Sequence, residues 1–330
     1  YAKAMVIKME KAKRVPKNAR WTKKKTAALL LLIAVVSASV VFAWLYGLFG
    51  VQVVSDYDES RLGVFFLDVG QGDSILIKSP EGRFMLIDAG TNEGGGELVE
   101  MLRSYNVETL EYFVLTHADA DHVGGADDVL ENFEVKTVLS SDVGADTKTW
   151  RDVLDAIERE DCADVTVSVG NRYTLSEDCT FTVLGPVDTE TDRNNCSVVL
   201  RMDYGETSFL FTGDAEKEAE ERMLQRNGRE ALQADVLKVG HHGSSTSTSA
   251  EFLEAVSPSY GVISCGKDNT YGHPHQSTLD RLSAAGVQVL RTDEMGTVIL
   301  QSDKEQIYAV GRTVETPLER YIAKLKNWVA

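Results

Sequence analysis

Short apolar runs, each closed by glycine or aspartate, recur through most of this 330-residue chain. In the first half they fall at 64–67, 74–77, 84–87 and 112–115, and their length and closure predict buried strands. Ahead of the last run, Gly94, Gly95 and Gly96 precede a stretch at 97–105, where Leu98, Met101 and Leu102 recur at helical spacing. Further helices are predicted at 124–132 and 149–159. In the second half, strands are predicted at 166–169, 181–184, 197–202, 208–212, 236–239, 261–265, 287–291 and 297–301, with helices at 216–226, 250–255 and 277–284. The run from Ser74 to Asp88 and the run from Ser197 to Asp214 echo each other: apolar strand, glycine turn, apolar strand, aspartate. Two such halves imply stacked sheets covered by helices, an α/β fold with a site at the seam.

The N-terminus breaks this pattern. Residues 26–50 are almost uncharged, long enough for a helix to cross a bilayer core about 30 Å thick. Ahead of them, residues 1–25 hold ten Lys or Arg against one acid, Glu10. Under the positive-inside rule that block stays in the cytoplasm and everything after Gly50 is extracytoplasmic, so a single-pass protein of the cell membrane is expected. A cleaved signal peptide shares the basic flank and apolar run, and Ser37-Ala38-Ser39 resembles a cleavage site. The run exceeds the roughly 7 to 15 residues of a signal core, which favours an anchor. The expected division is a basic tail at 1–25, a transmembrane helix at 26–50, a linker at 51–60, an α/β domain at 61–312 and a C-terminal helix at 313–330.

Charge narrows the partners. The chain carries −17 overall despite its cationic start, so the remainder is more acidic still. Such a surface does not hold long nucleic acid by diffuse attraction; a polyanion must be gripped locally, by metal ions and a few basic residues. Cys162, Cys179, Cys196 and Cys265 lack the short paired spacing of a structural zinc site, and Cys162 with Cys179 reads either as a disulfide or as two thiols.

The chemistry concentrates in Thr116-His117-Ala118-Asp119-Ala120-Asp121-His122-Val123-Gly124-Gly125, directly after a predicted strand. Four potential metal ligands within six residues suit a dinuclear site. Thr212-Gly213-Asp214, His241-His242-Gly243-Ser244 and Tyr271-Gly272-His273-Pro274-His275 follow later strands, and all six histidines lie in this motif set.

With Asp68-Val-Gly-Gln-Gly-Asp73-Ser74, Ile87-Asp88-Ala-Gly90, Asn194-Asn195-Cys-Ser197, Ser264-Cys-Gly-Lys267-Asp-Asn269 and Arg291-Thr-Asp293, these motifs resemble the metallo-β-lactamase-fold hydrolases. The resemblance is closest to the soluble domain of the ComEC/Rec2 competence proteins and covers about 61–301. It implies a four-layer αββα sandwich with two divalent metal ions at one edge. Carried over by position, His117 and Asp119 serve the first metal, Asp121 and His122 the second, and Asp214 bridges both. His241 or His242 completes the second site, with His242 favoured. Asp119 replaces a histidine of the broad family, and none stands near Asn195. These harder donors shift preference from zinc toward manganese or magnesium. Asp88, and with it Asp68 and Asp73, is expected to orient a ligand histidine; Asn195 and Ser244 flank the site. Asp121 is a candidate catalytic residue as well as a ligand. Lys267 and His273 are candidates to hold a phosphate or protonate the leaving oxygen.

The resulting expectation is a membrane-anchored phosphodiesterase or nuclease, with DNA as the favoured substrate and no protein partner. The alternatives are hydrolysis of another ester, lactam or cell-wall phosphodiester, and a non-catalytic anchored binding module.

Overall fold

The computed structural model describes residues 52–54, 57–188 and 192–310. The basic tail, the apolar run at 26–50 and the whole of the C-terminal helix expected at 313–330 lie outside these residues. Among the described residues no helix is long and apolar enough to cross a membrane.

Two sheets form the compact unit that begins at Gln52. The first runs in the order Gln52–Val54, Ile307–Val310, Val298–Ser302, Leu62–Phe66, Ile75–Lys78, Phe84–Ile87, Thr109–Leu115, Thr137–Ser140 and Ala163–Thr166, with Glu134–Val135 also paired to Thr109–Leu115. The second runs Gln288–Arg291, Tyr260–Ile263, Val236–Lys238, Thr207–Phe211, Val199–Tyr204, Cys179–Gly185 and Arg172–Ser176. Each sheet combines antiparallel strands with parallel ones. Ile75–Lys78 pairs antiparallel with Phe84–Ile87, which is parallel to Thr109–Leu115. Val199–Tyr204 pairs antiparallel with Thr207–Phe211, which is parallel to Val236–Lys238. The sequence echo thus corresponds to equivalent hairpins in the two sheets.

Alternation of side chains along a strand explains the layering. Phe65 packs toward helices of the first sheet, among Leu98, Leu102, Val129 and Val153, while its neighbour Phe66 meets Phe211 of the second sheet with ring centroids 6.3 Å apart. Leu210 turns outward to Met223, Leu253 and Leu282. Tyr112 and Phe181 touch edge to face across the same interior at 5.0 Å. Each fully buried side chain of this kind contributes about 1.5–3 kcal/mol, so both faces of both sheets are covered and four layers result.

Several expectations change. Gln52–Val54, placed in a linker, forms a strand paired with Ile307–Val310. The strand expected at 166–169 ends at Thr166, because Gly170 turns the chain at a φ of +91°. Thr137–Ser140 and Arg172–Ser176 were not anticipated; each mixes apolar with polar residues over four or five positions. The helix expected at 124–132 begins at Ala126 after a separate turn, Ala120–Val123. Gly124 lies between them, where a Cβ would stand 2.2 Å from Asn92 N. No disulfide is present among the described residues, so Cys162 and Cys179 are not joined.

Candidate metal centre

The polar residues of the motifs converge beyond the C-terminal ends of parallel strands, where α/β sheets commonly place their ligands. Asp88 follows Phe84–Ile87, His117 follows Thr109–Leu115, Asp214 follows Thr207–Phe211, and His241 with His242 follows Val236–Lys238.

Asp214 stands at the centre. Its Oδ1 lies 3.3 Å from His122 Nε2, and its Oδ2 lies 3.4 Å from His242 Nε2 and 3.6 Å from His241 Nε2. Asp121 Oδ2 is 3.3 Å from His242 Nε2. The imidazole of His117 adjoins that of His122 at 4.1 Å between centroids. Donor atoms from Asp73, His122, Asp214 and His242 all lie within 4.8 Å of one another, and all four residues are buried.

The opposite nitrogens are committed. His122 Nδ1 donates to Asp88 Oδ2 at 2.8 Å, and His242 Nδ1 to the Ser264 carbonyl at 3.0 Å. His241 Nδ1 faces Glu216 Oε1 at 3.1 Å. Thr116 Oγ1 gives its hydrogen to Asp88 Oδ2 at 2.7 Å, which leaves it as an acceptor for His117 Nδ1, 3.2 Å away. These partners occupy the Nδ1 of each of the four imidazoles and turn each Nε2 toward the centre, where it can take a cation once any proton on it has left.

His117 Nε2, His122 Nε2, His242 Nε2 and Asp214 Oδ1 are buried without a hydrogen-bond partner. Each such group costs about 1–3 kcal/mol if nothing satisfies it. A divalent cation does satisfy a convergent set of imidazole nitrogens and carboxylate oxygens, so the residues fit a metal.

The charge balance agrees. Burial alone would raise the Asp214 carboxyl, but the imidazoles of His242 and His122 outweigh it and hold the group well below the usual range. Burial would lower His242; Asp214 and Asp73 instead push it up to about 9. Burial, reinforced by His122, depresses His117 to about 3.

The metallo-beta-lactamase superfamily signature matches residues 67–267. The chain belongs to this superfamily. It is 36% identical over 253 residues to ComE operon protein 3 of Bacillus subtilis, which covers 71% of this chain and 32% of that protein. Competence protein ComA of Neisseria gonorrhoeae is 33% identical over 242 residues, covering 73% and 32% respectively. The chain therefore spans about a third of the length of these relatives. Among solved structures, CmlA, a diiron β-hydroxylase from Streptomyces venezuelae, aligns with a TM-score of 0.50 at 13% identity, covering 75% of this chain and 55% of that one; this likeness concerns the fold.

Within this metallo-beta-lactamase fold, His117, Asp121, His122, Asp214, His241 and His242 come together. His242 reaches both Asp121 and Asp214 and is fully buried, whereas His241 reaches Asp214 alone. Asp88 orients His122 directly and His117 through Thr116. Asp73 lies behind His242, with Oδ1 3.3 Å from Nδ1 and Oδ2 bound by Lys238 Nζ at 2.6 Å, so it supports the imidazole while Lys238 balances its charge. Asn195 Oδ1 accepts from the Glu216 N–H at 3.1 Å and fixes the residue that holds His241.

Other expectations fall elsewhere. Asp68 is exposed and its Oδ1 accepts from the Gly70 N–H at 3.3 Å, so it shapes a turn rather than orienting a histidine. Ser244 Oγ bonds Thr246 Oγ1 at 2.9 Å within its own loop. Asp119 Oδ1 is paired with Arg193 Nε at 2.6 Å. Lys267 is exposed. His273 adjoins His241 and His242 at 5.5 and 6.2 Å between centroids, and burial together with these neighbouring imidazoles lowers it to about 4.

Sequence reasoning missed Thr116, Glu216, Lys238 and Arg193 as working parts. Their adjacency to the motifs was visible; their pairing across distant segments was not.

Proposed function

We propose that this chain is a metal-dependent phosphodiesterase, acting on nucleic acid outside the cytoplasm and tethered by residues 26–50. The carrying observation is that four imidazoles have each Nδ1 committed to an oxygen while three Nε2 atoms surround the two Asp214 oxygens.

Two divalent cations, manganese or zinc with magnesium as the alternative, would supply an activated water and polarise a phosphoryl group. His117 and the remaining oxygen of Asp119 would hold one; Asp121, His122 and His242 the other; Asp214 both. Asp88 and Thr116 keep the imidazoles in the binding tautomer. His273 stands beside His241 and His242, where it would face a phosphate held at the centre or the leaving oxygen. Arg193, paired with Asp119, and the exposed Lys267 are the cations this reading assigns to a phosphate. The competence names of the relatives support DNA as the substrate class.

The test is the purified full chain with manganese, magnesium or zinc, given bis-p-nitrophenyl phosphate, single-stranded DNA, duplex DNA and nitrocefin. Metal-dependent cleavage of the phosphodiesters with nitrocefin intact is expected; the reverse pattern removes the proposal.

A further inference from the structure

A row of aromatic rings leads from the buried centre to solvent. His117 and His122 lie 4.1 Å apart, His122 and His242 5.2 Å, His242 and His273 6.2 Å, and His273 and Tyr271 5.7 Å, between centroids. From His122 outward the planes turn little between neighbours, by 36°, 32° and then 22°. Tyr271 is the last rung. It is 64% exposed, the most exposed of the three large hydrophobic residues on the described surface.

The loop that carries this ring is fixed. Asn269 Nδ2 donates to the carbonyls of Gly266 and His273, at 2.9 and 2.6 Å, and Asn269 Oδ1 accepts from the His273 N–H at 3.0 Å. A tyrosine ring left in water forgoes about 1.5–3 kcal/mol of burial. Holding it there on a rigid support, stacked by one face on a residue of the site, presents its other face for a planar group.

We propose that Tyr271 is a stacking subsite for a nucleobase of a single-stranded nucleic acid whose phosphate lies at the metal centre. A base on the outer face of Tyr271 extends the row by one rung. Stacking needs no positive charge, so it grips a polyanion on a protein whose net charge is −17. It is also indifferent to sequence, because every base has a flat face. A base within a duplex is already stacked on both sides, so the subsite selects single strands.

This inference rests on the phosphodiesterase reading, and the experiment separates the two. A deoxythymidine oligomer and an abasic oligomer of equal length are titrated calorimetrically into the manganese-loaded full chain, and their cleavage is followed in parallel. Wild type is expected to favour the base-bearing strand about tenfold in Kd and in kcat/KM. Tyr271→Ala collapses that ratio toward one, and Tyr271→Trp keeps it. Equal treatment of both strands by wild type, or an unchanged ratio in Tyr271→Ala, overturns the stacking subsite while leaving phosphodiester cleavage standing. Preferential binding of the base-bearing strand without cleavage of either sinks the hydrolytic reading and keeps the subsite. Neither binding nor cleavage removes both.

Discussion

Lys238 Nζ donates to Asp73 Oδ2 across 2.6 Å, with both side chains withdrawn from solvent. The ammonium also reaches the Gly213 carbonyl at 3.4 Å, next to Asp214. A buried carboxylate stripped of its partner is costly, about 3–5 kcal/mol. Lys238→Met is therefore expected to lower the unfolding free energy by about that amount, measured in urea. Adding Asp73→Asn should recover part of the loss, since the uncompensated charge is then gone. A single variant as stable as wild type would refute the pairing.

Asp88 carries two imidazoles at once, one directly and one through Thr116. Its backbone is left-handed, φ 59°, a conformation that asparagine also tolerates. Asp88→Asn is expected to keep the fold and to weaken metal affinity about 10- to 100-fold. Competition against a chromophoric chelator measures this; unchanged affinity would show that the carboxylate is dispensable.

Metal loading should expel protons. Without metal, His242 titrates at about 9 and so carries an extra proton at pH 7, and Asp214 and Asp88 outweigh burial to push His122 in the same direction. A ligand nitrogen must lose its proton to bind. Apparent affinity is expected to rise between pH 7 and 9, with net proton release at pH 7, read by calorimetry in buffers of different ionisation enthalpy. Stability of the metal-free protein runs the other way. The raised His242 contributes fully below 6.5 and loses that contribution as pH climbs through about 9.

Gly72 has a φ of +140°, and a Cβ there would lie 2.2 Å from the Asp121 carbonyl oxygen. That carbonyl accepts from the Asp73 N–H at 3.2 Å, tying the two loops together. Gly72→Ala is expected to displace Asp121 and to abolish metal binding in whatever protein remains soluble, as assayed by metal content after gel filtration.

How much was visible beforehand depends on the range of each interaction. Runs such as 84–87 and 236–239 announced their strands because five or fewer consecutive residues carry the pattern. Asp214, His122 and His242 could be grouped through motif resemblance, and their meeting in space follows it. Lys238 illustrates the limit. In sequence it is a lysine in an apolar strand, and only the packing of the second sheet against the loop ahead of Ile75–Lys78 brings it to Asp73. Asp68 misled in the other direction: it shares a motif with Asp73, yet it stands at the exposed side of the turn.

His117 and His122 hang from the first sheet, while Asp214, His241 and His242 hang from the second. The cage is complete only once the two sheets have packed together, so full metal affinity follows their docking. Capture of the metal is then a late event that locks a finished architecture, and holo protein should unfold as one cooperative unit even though its halves look alike.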